Sequence, residues 1–63
     1  MERKLVNAKG LQIIIKSSKW PGEYLMTSTF ADGGMHIMFI RDAETEIRML
    51  KAEGYVESDS YNY

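Results

Sequence analysis

Residues 24–55, YLMTSTFADGGMHIMFIRDAETEIRMLKAEGY, decide the fold of this chain. Two strand-like runs, 24–30 and 35–40, are rich in aromatic, β-branched and other apolar residues and flank Asp32-Gly33-Gly34. Glycine enters left-handed geometry without steric cost, so this spacing is a strong hairpin signal. A helix over 42–54 follows. Asp42 suits its N-cap, Glu44 and Glu46 sit at the positive end of its dipole, and Arg48 and Lys51 lie toward the other end. Glu44 and Arg48 stand four apart in the favourable order. Gly54 suits the left-handed position that closes a helix, with Tyr55 folding back onto Leu50. Ala43, Ile47, Leu50 and Gly54 form its buried stripe, with Met49 at the border.

Working back toward the N-terminus, residues 11–17 alternate as a strand, with Leu11, Ile13 and Ile15 on one face and Gln12, Ile14 and Lys16 on the other. Trp20-Pro21-Gly22-Glu23 reverses the chain, Pro21 supplying the fixed φ and Gly22 the positive one. Residues 3–7 could add a short fourth strand through an Ala8-Lys9-Gly10 turn. The expected fold is α+β: a three- or four-stranded antiparallel sheet with one C-terminal helix on one face, in the order βββα. It is read as a single domain over 1–57, followed by an acidic, tyrosine-bearing tail over 58–63 that lacks periodicity.

At 63 residues the chain holds one thin core and no deep enclosed active site. There is no cysteine, hence no disulfide or thiolate site, and this composition fits a reducing cytoplasm. The apolar run in 11–15 is broken by Gln12, closed by Lys16, and too short for a signal-peptide core or a membrane span. A cytoplasmic protein is the expected reading. Net charge is −1 but unevenly spread: Arg3, Lys4, Lys9, Lys16 and Lys19 face only Glu2 in the first 19 residues, and acids predominate afterward. Such asymmetry steers charged partners or draws neighbouring elements together.

No catalytic constellation emerges. His36 is the single histidine and has no second His or Cys to complete a metal set. Ser28, His36 and Asp32 lie around one hairpin with nothing to exclude water. Glu44, Glu46, Asp42 and Glu53 read as helix surface and cap charges, and no phosphate-loop spacing is present. The expectation is a protein without catalytic, cofactor-binding or metal-binding residues.

A helix this short covers only one face of the sheet. If Ile13, Ile15, Met26, Phe30, Ile37 and Phe39 meet the helix, alternation sends Ile14, Leu25, Met38 and Ile40 to the open face beside Gln12, Lys16, Thr27 and His36. Large apolar residues on an open sheet mark an interaction surface. Trp20 suits either the core edge, the favoured reading, or an outward anchor. The candidate protein-binding set is therefore Ile14, Lys16, Trp20, Leu25, His36, Met38 and Ile40. The expected function is a non-enzymatic, stoichiometric protein-binding module of the kind phages and mobile elements use to inhibit a host protein, with a homodimer also allowed. A sheet followed by a helix resembles, in architecture alone, sheet-reading DNA-binding domains. That alternative assigns Lys4, Lys9, Lys16 and Lys19 to DNA or RNA. A third reading is a structural subunit of a homo-oligomer.

Overall fold

The computed structural model describes residues 2–58. It contains β1 (Glu2–Val6), β2 (Gln12–Ser17), β3 (Tyr24–Thr29), β4 (Met35–Ile40), α1 (Ala43–Ala52) and β5 (Val56–Ser58). All five strands form one antiparallel sheet in the order β4-β3-β2-β1-β5. The class is α+β, as the sequence predicts, but the strand inventory is larger. β1 forms in full, and β5 is an addition that returns after the helix to pair with β1. Ser58, expected to open the tail, is the last residue of β5, and the rest of that tail lies outside the described residues.

Three turns build the meander. Around Asn7 and around Phe30 the same geometry recurs: the Phe30 N–H donates to the Gly34 carbonyl at 2.8 Å, and the Gly33 N–H donates to the Phe30 carbonyl at 3.0 Å. This is a three-residue loop closed by a glycine at positive φ, here Gly33 at 90°. Between β2 and β3 the Glu23 N–H reaches the Trp20 carbonyl at 3.2 Å, giving the turn that Pro21-Gly22 demands.

The helix is capped as its sequence dictates. Thr45 donates its backbone N–H (3.1 Å) and its hydroxyl (2.6 Å) to the Asp42 carboxylate, holding that carboxyl below its ordinary pKa. At the other end the Tyr55 N–H bonds the Leu50 carbonyl at 3.0 Å, and the Gly54 N–H bonds the Lys51 carbonyl at 3.1 Å. Those two bonds are the paired closure of a Schellman ending, with Gly54 at φ 107°. A Cβ there would meet no atom within 4 Å, so Gly54→Ala isolates the backbone term. The expected cost is about 1 kcal/mol, read as a lowered urea midpoint with an unchanged slope.

The core lies between α1 and one face of the sheet. Leu5, Ile13, Ile15 and Met26 meet Ala43, Ile47 and Leu50, with Tyr24, Ile40 and Tyr55 packed at the margin. Leu5 and Ile15 are fully buried, so β1 supplies one of the two most enclosed side chains in the domain. Glu44 does not lie along the helix toward Arg48. It accepts a hydrogen bond from Arg3 Nη1 at 3.0 Å, tying α1 to β1.

Candidate functional site

Directly opposed residues of antiparallel strands share a face, so the register sorts every strand residue. On the face turned from α1, one row runs Val56, Val6, Gln12, Thr29, Met35. A second runs Ser58, Lys4, Ile14, Thr27, Ile37, and a third runs Glu2, Lys16, Leu25, Phe39. Apolar side chains concentrate toward β4, where Met35, Ile37 and Phe39 are 63%, 56% and 62% exposed. Leu25 lies directly opposite Phe39, and Ile14 lies one strand further in, across Thr27 from Ile37; both are half-buried. Lys4 and Lys16 flank this patch, and Lys16 stands directly opposite Glu2.

Ile14, Lys16 and Leu25 occupy the open face as expected. Met38, Ile40 and His36 do not. Met38 opposes Met26, Ile40 opposes Tyr24 and His36 opposes Ser28, which places all three on the helix side. Ile40 packs at the core margin, whereas Met38 and His36 extend past the cover of α1 and stay exposed. Conversely Ile37 and Phe39, expected against the helix, lie on the open face, and Phe30 falls in the turn beyond β3 at 49% exposure. The phase of β4 is therefore the reverse of the sequence reading, because the hairpin loop has three residues.

Trp20 is not folded over the core edge. It projects from the β2–β3 turn at 62% exposure, with the Lys19 ammonium 5.8 Å from its ring centroid, within range of a weak cation–π contact. The turn lies at the end of the sheet that carries Lys16, Leu25 and Phe39. Of the four lysines assigned to nucleic acid, Lys4 and Lys16 share the open face. Lys9 and Lys19 sit in turns at opposite ends of the sheet, so the four line no single groove.

Ser28 and His36 are cross-strand neighbours, yet among the described residues no side-chain hydrogen bond joins them. The Asp32 carboxylate instead accepts the Gly34 N–H at 2.9 Å and shapes the turn. No group of three or more His, Cys, Asp or Glu side chains among the described residues is placed to hold a metal. No buried side-chain polar atom among them lacks a partner. No helix among them is long and apolar enough to cross a membrane.

One polar cluster was not anticipated. Arg3 donates through Nε and Nη2 to the Glu57 carboxylate, the latter at 2.9 Å, while Lys51 Nζ lies 3.3 Å from the same carboxylate. The Arg3 hydrogen bonds, reinforced by Lys51, hold the Glu57 carboxyl at about 2, and Glu57 in turn holds the Arg3 guanidinium above its ordinary value. These charges fasten β1, α1 and β5 together and lie on the helix side, away from the apolar patch.

A scan against protein-family models, a search of curated proteins and a search of solved structures each found no match to this chain.

Proposed function

We propose that this protein is a non-enzymatic, cytoplasmic binding module that docks its open sheet face on another protein and acts stoichiometrically, in the manner of a phage-type inhibitor. The observation that carries this reading is the exposure of Met35, Ile37 and Phe39 beside Ile14 and Leu25 on the face that α1 leaves uncovered. Lys4 and Lys16 at the flank favour a partner surface with an apolar centre and carboxylates to one side. A duplex would require basic and polar side chains where the apolar rows stand, and Lys16 is already opposed by Glu2. The exposed Trp20 stands in the turn at the end of the sheet that carries Lys16, Leu25 and Phe39.

Ile14→Lys combined with Leu25→Lys tests the reading, because both residues lie on inner strands away from the sheet edges. Burying two added charges in an apolar interface is expected to weaken partner recovery at least ~100-fold. Tagged wild-type and variant chains are used to capture partners from source-cell lysate with and without nuclease, with circular dichroism confirming that both are folded. A stoichiometric, nuclease-resistant protein band lost in the variant is the expected result. Equal recovery by the variant overturns the surface assignment. Recovery that collapses with nuclease transfers the face, through Lys4 and Lys16, to nucleic acid.

A further inference from the structure

The sheet has two edges, and they are built differently. β5 is three residues long, and its central Glu57 is engaged by Arg3 and Lys51. β4 is six residues long, Met-His-Ile-Met-Phe-Ile, and all but Ile40 are exposed. It carries no Lys, Arg, Asp, Glu or Pro and no bulge within the paired stretch. Those are the devices by which natural proteins keep an edge strand from pairing onward.

The hairpin sets which backbone groups remain open. Phe30 and Gly34 form a hydrogen-bonded closure, and bonded and non-bonded pairs alternate along an antiparallel ladder. His36, Met38 and Ile40 therefore turn their N–H and C=O groups toward β3. Met35, Ile37 and Phe39 turn theirs to the free edge, and the same three residues carry their side chains on the open face.

We infer that β4 pairs antiparallel with β4 of a second copy of this chain, about a two-fold axis at Ile37. The outward residues are spaced evenly about that position, so Ile37 opposes Ile37 of the second copy and Met35 opposes Phe39 in both directions. Two hydrogen bonds for each matched pair give about six across the junction. Sliding the register by two leaves one outward residue of each copy unmatched. The side chains agree with this register: Ile meets Ile, and each Met thioether meets an aromatic ring. Past the strand ends, Arg41, which has no ion pair among the described residues, reaches the turn of the second copy that holds Asp32. Asp42 faces that turn too and its Thr45 hydrogen bonds keep it charged, so Arg41 offsets the repulsion between the two carboxylates. A foreign strand would find the same open backbone groups, but this matched side-chain set belongs to a second copy. The inference concerns a backbone edge and stands independently of what the open face binds.

Sedimentation velocity from micromolar to millimolar protein, paired with amide hydrogen exchange on 15N-labelled chain, tests the pairing. The expected result is a rise from 7.3 kDa to twice that mass. At high concentration the amides of Met35, Ile37 and Phe39 gain at least ~10-fold protection, while those of His36, Met38 and Ile40 are protected at every concentration. Ile37→Pro removes one outward donor without touching the β3 ladder, and should raise the dimer dissociation constant at least ~10-fold. Ile14→Lys should leave the dimer intact. A single 7.3 kDa species throughout overturns the inference. So does a doubled mass in which the amides of Met35, Ile37 and Phe39 stay unprotected, or a dimer that Ile14→Lys dissolves and Ile37→Pro retains. The wild-type exchange pattern decides the matter even if Ile37→Pro fails to fold.

Discussion

Leu5→Ala is expected to remove most of the stability of the fold at 25 °C. Leu5 is fully buried between β1 and α1, and removing its branched end costs both transfer free energy and a cavity, about 2–5 kcal/mol. A domain with so few core side chains has roughly 3–5 kcal/mol of net stability to lose. Far-UV circular dichroism and a urea titration read the result directly. Met49→Ala, which removes a similar volume from an exposed helix position, serves as the control and should shift stability by less than ~1 kcal/mol. Similar losses from both variants would mean that β1 does not carry the core.

The second large effect belongs to the ion cluster. Glu57 titrates at about 2 in the folded chain against an ordinary value of 4.5, chiefly through its hydrogen bonds from Arg3. Above the unfolded value the carboxylate is charged in both states, and its stabilising contribution is complete. As pH falls from about 4.5 toward 2 the unfolded chain takes up the proton first, so stability drops across that window. Glu57→Gln should flatten this part of the pH profile and lower stability at neutral pH by about 1–2 kcal/mol, the lower range reflecting a side chain 24% exposed to screening solvent. Asp42 is shifted in the same direction and is present in both proteins, so the difference between their acid denaturation curves isolates Glu57. Curves that run parallel would remove Glu57 from the account of acid sensitivity.

Local signals were legible where one residue type has one physical solution. Asp42 and Gly54 bounded the helix, Pro21-Gly22 reversed the chain, and Ala43, Ile47 and Leu50 named the buried stripe as the structure has it, except that Gly54, expected to continue the stripe, is exposed. The phase of β4 was not legible. Met35, Ile37 and Phe39 on one side are as apolar as Met38 and Ile40 on the other, so alternation carries no preference between faces. Only the loop decides. With Ala31-Asp32-Gly33 as a three-residue loop, Phe30 opposes Gly34 and Met38 falls opposite Met26. A two-residue loop over Asp32-Gly33 would have set Phe39 there instead, in keeping with the faces expected from the sequence. β5 escaped notice because Val-Glu-Ser is short and polar, and its place depends on Arg3, 54 positions earlier in the chain. Trp20 showed the same limit: a turn tryptophan projects inward or outward according to packing that no local pattern records.

The strand order β4-β3-β2-β1-β5 also carries an expectation about the order of folding. The first four strands each find their partner through a turn of a few residues, where loop closure costs least, so this part of the sheet can zip on the fast timescale of local hairpins. The β1–β5 pairing has to wait until the helix has turned the chain back. Arg3 and Glu57 are thus expected to close last, with β1 until then an open edge at the far side of the sheet from β4.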